Sequence, residues 1–421
     1  MFIARRIALF AIFSSAGYAQ TPGTVNLNDL IRDALARNPE ILAAQHKYQA
    51  ARLRPQQQSS LPDPVVSLGY ASNGNPLPGA GLGSNPTSNI GIMVSQEMPY
   101  PGKRRLRGEI ASKEADSDFD QYQLVRLNVR SRVIQAYHRL HHTYAGVDVL
   151  TEGKDLLTRF IRVAEERYAT GKATQQDVFK AQTQLSLLEA RLIEMQQDRS
   201  SAESELNMLL NRDPGTPIGE PMEDDPKEIP VTLAQLFQEG KSQSPALRRE
   251  QSRIESNQLA LTLANKDLHP DYTLSGGYFN QGTMPAMYQF RIDVQLPFYA
   301  KRKQRPAIAQ QAEMVSEAQH GLAAADRNLQ FRIKDTYQLA QTAFRLIQLY
   351  KDTVLPQADL TVESSLTAYE TGAGDFTAVL NNLLMKVDSE ERYHEQMMSY
   401  SISLASLEEL TGVSLDGEVI Q

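Results

Sequence analysis

The sequence predicts a mainly α protein with a small β part, built by internal tandem duplication. Long antiparallel coiled-coil helices form most of each copy, and four short strands per subunit supply the β part. Three observations predict this. The order helix, strand, Gly/Pro-rich loop, strand and long helical pair occurs twice, about two hundred residues apart. Long stretches carry apolar residues at helical spacing, and four short ones alternate apolar with polar residues. A repeat of this length is a duplicated domain, since solenoid modules run about 20–50 residues.

The chain has 421 residues, a formal net charge of −7, twelve methionines and no cysteine. An acidic balance argues against a nucleic-acid binder. Residues 1–19 read as a signal peptide: Arg5-Arg6, an apolar stretch from Ile7 to Phe13, then Gly17-Tyr18-Ala19 before Gln20. The exported chain then carries no disulfide, and no cysteine on which to build a lipid anchor. Beyond the leader, no run of about 18 apolar residues predicts a transmembrane helix. The first repeat is placed at 20–211, a linker rich in Pro, Gly and Asp at 212–230, and the second repeat at 231–421.

Asn38-Pro39 opens a helical run that ends at Leu61-Pro62-Asp63-Pro64, and Ser244-Pro245 opens one that ends at Leu268-His269-Pro270. Strands are expected at about 65–73, 89–98, 271–280 and 287–296. In the last, Tyr288, Phe290, Ile292, Val294 and Leu296 alternate with Gln289, Arg291, Asp293 and Gln295. Such a period places apolar side chains on one face and polar ones on the other. Soluble hairpins packed on helices share this pattern. A membrane barrel fits more of it, because Tyr100, Tyr272, Phe298 and Tyr299 fall where a girdle would. Arg291, Asp293 and Gln295 then line a wet lumen. Four strands cannot close, and lipid tolerates no open edge, so several copies must contribute. Two copies give about eight strands and a filled interior; three give about twelve and room for a pore, the favoured reading.

After each strand pair, a Pro-aromatic turn leads into a basic cluster: Lys103, Arg104, Arg105 and Arg107, then Lys301, Arg302, Lys303 and Arg305. Cations at a helix start oppose its dipole, so anionic lipid headgroups or carboxylates of a neighbouring copy are expected to offset them. Helical hairpins follow at 103–211 and 301–411, their longer rods about 100 Å at 1.5 Å per residue. Each is broken at a Tyr-x-x-Gly tip, Tyr168 to Gly171 and Tyr369 to Gly372. Pro356, and Gly153 near the equivalent place, predict that both rods kink or break there. His138, His141 and His142 share one helical face at i, i+3 and i+4. They are a weak candidate for a divalent metal, with a polar stripe as the plainer reading. No nucleophile elbow, phosphate loop or zinc motif is present, so no enzyme and no cofactor are expected.

These parts, in this order, resemble the TolC family of outer-membrane efflux channels. The repeat, the two Tyr-x-x-Gly hairpins and Asp177-Val178 carry the resemblance across essentially the whole mature chain. Pro99-Tyr100-Pro101-Gly102-Lys103-Arg104-Arg105-Leu106-Arg107 looks most like the outer-membrane components of heavy-metal efflux systems of the RND type. The resemblance implies a homotrimer with a twelve-stranded barrel in outer-membrane lipid and a helical tunnel across the periplasm. It also implies a periplasmic adaptor and an inner-membrane RND-type pump as partners, with drug efflux or type I protein secretion as alternative roles. A periplasmic coiled-coil scaffold is the alternative outside transport. The resemblance places adaptor docking and the aperture at the tips: Arg167, Tyr168, Gly171, Thr174, Asp177, Val178, Tyr369, Gly372, Asp375 and Val379. Capping is the plainer role of Gly171, Thr174 and Gly372. The family's latch arginine is replaced by Gly374, and its acidic ring positions read Ala378 and Asn381.

Overall fold

The computed structural model describes residues 23–73, 76–222 and 225–415. The expected signal peptide and the last six residues lie outside these.

The first repeat opens with α1 (Leu27–Arg37), α2 (Pro39–Ala51) and α3 (Arg54–Ser59). Asn38 joins the first two. Its side-chain oxygen accepts from the Glu40 N–H at 2.9 Å, and its amide donates to the Leu209 carbonyl at 2.9 Å. It thus caps a helix and fixes it to the end of a later one. The strands β1 (Val65–Ala71) and β2 (Asn89–Met98) follow, then α4 (Lys103–Ala169) and α5 (Gln175–Leu209). At 67 residues, α4 spans about 100 Å. β1 stops two residues before the expected 73. There the Ser72 hydroxyl donates to the Ala80 carbonyl at 3.1 Å and turns the chain into its loop.

The second repeat supplies α6 (Leu233–Gln243), α7 (Pro245–Lys266), β3 (Asp271–Asn280), β4 (Met287–Gln295), α8 (Gln304–Leu349), α9 (Leu355–Thr371) and α10 (Phe376–Thr411). The four strands form one antiparallel sheet in the order β1-β2-β3-β4. No described helix is long and apolar enough to cross a membrane.

The rods hold the core. Near the hairpin tips, Leu157, Phe160 and Ala164 of α4 share one apolar cluster with Ala181 and Leu188 of α5, Val362 of α9 and Leu380 and Leu383 of α10. The linker is fixed across the rods by two buried tyrosines. Tyr137 of α4 donates to the carbonyls of Val25 and Met222, each at 3.1 Å, and Tyr400 of α10 donates to that of Lys227.

The two repeats treat the expected kink differently. Pro356 offers no N–H to the turn before it, and the helix widens there into a π turn, Tyr350–Val354, between α8 and α9. Gly153, by contrast, breaks nothing, because α4 runs straight through it. A Cβ at Gly153 would lie 2.6 Å from a methyl of Val387, so glycine serves close helix packing and the break expected there does not occur. Replacing Gly153 with Val should therefore cost about 1–3 kcal/mol by overpacking. Thermal unfolding followed by helical circular dichroism checks this; unchanged stability contradicts the packing role.

Candidate functional site

The sheet is two-faced. Across all four strands, Val66, Val94, Gly276 and Phe290 stand in one row, and Leu68, Ile92, Tyr278 and Tyr288 in the next. Leu68 is 80 % exposed, Tyr288 79 % and Phe290 73 %. Hairpins packed on their own helices would bury this face, so that reading fails. On the opposite face Ser95 and Ser275 share a hydrogen bond at 2.9 Å, with Arg291 in the same row. Arg291 pairs with Asp293 at 2.9 Å, and Gln295 lies opposite Asp271. The three polar residues of β4 thus share one face. Phe279 interrupts it, its ring lying where Cβ atoms of Gly91 and Gly277 would be. Those glycines let the ring lie flat against the wall. The sheet is open: β1 and β4 each keep one unpaired edge.

Where the sheet meets the rods, a charged seam joins the repeats. Lys103, the first residue of α4, is 2 % exposed. Its ammonium meets Asp271 at 2.9 Å and Asp267 at 3.0 Å. The Tyr100 N–H donates to the other Asp271 oxygen at 2.6 Å, and the Tyr100 ring stacks on His269 at 4.4 Å. Gly102 enters α4 at φ +92°, a conformation that favours glycine. Lys103 is therefore not open to lipid headgroups. Burial compelled it to take carboxylates of its own chain, and the expectation of a lipid-facing lysine is corrected here. Arg104 donates to the Ser59 carbonyl at 2.9 Å, and Arg105 pairs with Glu109 at 3.1 Å. Lys301, Arg302 and Lys303 are exposed and make no ion pair among the described residues.

At the tips, Gly171 and Gly372 adopt φ of +72° and +89°. Thr174 and Asp177 cap α5 reciprocally, and Asp375 caps α10 by accepting from the Ala378 N–H at 3.1 Å. Tyr369 is 3 % exposed, its ring 5.3 Å from Phe160. Arg167 reaches across from the first hairpin, 4.5 Å above the Tyr369 ring, and donates to the Tyr369 carbonyl. Burial raises the pKa of the Tyr369 phenol against the opposing effect of Arg167. Gly374 has no room for a side chain: a Cβ would sit 2.7 Å from the Tyr369 nitrogen. Val178 and Val379 are 7 % and 0 % exposed. They form the core beneath the tip, so their expected place on its docking surface is corrected. Tyr168 is open to solvent, as is Phe179, which sequence reasoning missed; its signal was an aromatic residue beside the capping box.

The histidines fall at the level of the linker. A cavity of 670 Å³ is lined by His141, Asp148 and Glu152 of α4, Glu220 of the linker, and Glu390 and His394 of α10. Burial, reinforced by neighbouring histidines, lowers the pKa of His138 and His394 to about 4. Burial also lowers that of His142, against the pull of Glu395. No group of three or more His, Asp or Glu among the described residues is placed to hold a metal. The candidate face is thus divided between helix packing and the cavity, and the metal reading is corrected. Beside the cavity, burial disfavours the Lys386 ammonium, but Asp359, Glu390 and Glu152 outweigh it and raise its pKa.

Residues 30–212 match the outer membrane efflux protein family. No curated protein matches the sequence. Solved structures of outer-membrane proteins share the fold of this chain almost end to end. VceC of Vibrio cholerae matches with a TM-score of 0.77 at 17% identity, over 94% of this chain and 97% of that one. CusC, described as forming a transmembrane channel, matches with 0.76 at 15%, over 97% and 98%. The CmeC outer membrane channel of Campylobacter jejuni matches with 0.73 at 15%, over 100% and 95%.

Two outcomes follow for this chain. Replacing Lys103 with Met leaves Asp271 uncompensated and should cost about 3 kcal/mol, read from thermal unfolding. Asp271→Asn, which keeps an acceptor, should cost less. Separately, His138 and His394 are neutral in both folded and unfolded chains above the ordinary pKa of 6.5. As pH falls from 6.5 toward 4, the unfolded chain takes up protons that the fold refuses, so stability declines. Replacing both with Leu should flatten that decline in a melting-temperature series.

Proposed function

We propose that three copies of this chain close a twelve-stranded outer-membrane barrel continued by a periplasmic helical tunnel. It serves as the passive export duct of a tripartite efflux system. The observation that carries this reading is the sheet: one exposed apolar face, one polar face and two unpaired edges. Lipid satisfies the first, water the second, and only neighbouring copies the third. A girdle position suits Phe298 and Tyr299, 83 % and 78 % exposed at the base of β4. The polar face of β4, with Arg291, Asp293 and Gln295, lines the lumen.

The cargo we assign is heavy-metal cations. The stretch from Pro99 to Arg107 supports this through its resemblance to heavy-metal exporters, and the net charge of −7 favours cation passage. Transport is driven by an inner-membrane pump, and a periplasmic adaptor docks at the tips. Tyr168 and Phe179 offer it exposed aromatic surface, while Thr174, Asp177 and Asp375 hold the turns rigid. Arg167 and Tyr369 act inside the tip, joining one hairpin to the other.

The protein should fractionate with outer membranes as a heat-modifiable trimer and pass ions across planar bilayers with cation preference. Deletion should sensitise cells to one or more of zinc, cobalt, cadmium and copper, and spare a panel of drugs. Sensitivity to drugs alone reassigns the cargo. A monomer in aqueous buffer that conducts nothing overturns the channel reading.

A further inference from the structure

The two repeats differ in what their seams have to close on. In the first, Tyr100 and Lys103 at the end of β2 meet Asp271 at the start of β3, within one chain. Superposing the repeats in sequence sets Pro62-Asp63 in the place of Pro270-Asp271. It likewise sets Pro297 to Lys301 in the place of Pro99 to Lys103. Lys301 and Asp63 are both exposed, and neither makes a side-chain hydrogen bond or ion pair among the described residues. They stand at the base of β4 and β1, the two strands with open edges.

We propose that the open edge of β4 pairs with the open edge of β1 of a second copy in the register of the β2–β3 seam. Val294 then lies opposite the neighbour's Val66, and Lys301 closes the base on the neighbour's Asp63. The proposal rests on the channel reading above and names the contact through which its copies join. The register comes from the duplication. Gln96 faces Leu274 and Val94 faces Gly276 in the existing seam. Their counterparts are Val294 facing Val66 and Ile292 facing Leu68. All four are apolar and exposed, and this pairing keeps them on one face, whereas a slip of one residue would send one set to the polar side.

Charge and apolar cover agree with it. Among the described residues, Lys301, Arg302 and Lys303 form an unpaired basic cluster, and Asp63 is an unpaired carboxylate. Where Tyr100 stacks on His269, the counterparts are Phe298 and Leu61, exposed by 83 % and 40 % and suited to cover each other. The contact between copies is lighter than the one within the chain. Ser59 stands where the first seam has Asp267, so Lys301 meets one carboxylate instead of two. The Phe298 N–H is already bonded to the Leu296 carbonyl at 3.0 Å, so the main-chain arm of the seam is not repeated. Ala300 replaces Gly102, and α8 starts at Gln304, which leaves Lys301 on a turn.

A chain without cysteine makes the test clean. Full-length protein carrying Val66→Cys and Val294→Cys is oxidised mildly in outer membranes and run on non-reducing gels. A control carries Leu68→Cys and Val294→Cys. Directly opposed Cβ atoms lie about 5 Å apart and the offset pair about 7–8 Å, so the first should cross-link several-fold more. In parallel, Asp63→Lys and Lys301→Asp should each weaken the SDS-resistant oligomer, and combining them should restore it. Equal or stronger cross-linking of the control pair overturns the register, and a double charge variant that stays weak overturns the clasp. Either result in a conducting trimer leaves the channel reading standing. A protein that is monomeric in the membrane overturns both.

Discussion

The unpaired backbone at the edges of β1 and β4 is the constraint on which the rest of this structure depends. In the membrane setting proposed above, each N–H and C=O there must find a partner, because hydrocarbon supplies none and every unmet group costs several kcal/mol. The apolar face makes the constraint binding. With Leu68, Tyr288 and Phe290 turned outward, the sheet cannot retreat into water or fold back on its rods. On the channel reading proposed above, a closed sheet built from several chains satisfies both demands at once. The seam at Lys103 serves the same end. It fixes the angle at which the sheet leaves the rods, so the edges of each subunit are presented in a fixed direction.

The rods solve a different problem, that of keeping very long helices in register with each other. Two devices occur near the same level. In α4 the side chain is removed, and Val387 of α10 packs into the space at Gly153. In the second repeat Pro356 is accommodated by widening the helix through Tyr350–Val354. The linker crosses nearby, its carbonyls held by Tyr137 and Tyr400. The two halves follow the same order of elements, and each has its own local solution.

Much of this was legible in the sequence, and the exceptions have a common cause. The strands were readable because period two is imposed by the backbone and shown by every second residue, as in Tyr288 to Leu296. The tips were readable because Gly171, Gly372 and Thr174 answer local demands of φ and capping. What failed depended on contacts distant in sequence. Nothing near Lys103 announces that Asp267 and Asp271 will neutralise it, although Pro62-Asp63 repeating Pro270-Asp271 was a signal. Gly153 read as a weak point because Val387 lies over two hundred residues away. Val178 and Val379 read as surface because the core that the two hairpins share beneath the tip was not in view. The histidine face looked like a ligand set because helical spacing shows which residues share a side, not how far each is buried.

The tip carries the last consequence. Tyr369 is buried with its hydroxyl unpartnered, a cost of about 1–3 kcal/mol for a polar group left unsatisfied. It is retained in a cluster with Phe160 of α4 and Phe376 of α10, beneath Arg167. Aromatic packing contributes about 0.5–1.5 kcal/mol per pair beyond burial, and a cation over a desolvated ring about 2 kcal/mol. Together these offset the lone hydroxyl, and the contacts of Phe160 and Arg167 join the first hairpin to the second. The two hairpins of a subunit are therefore bound at their ends by one shared core, and separating them would expose Phe160, Tyr369 and Val379 together. Any motion at this end of the molecule that keeps that core intact must carry α4 and α10 as one body.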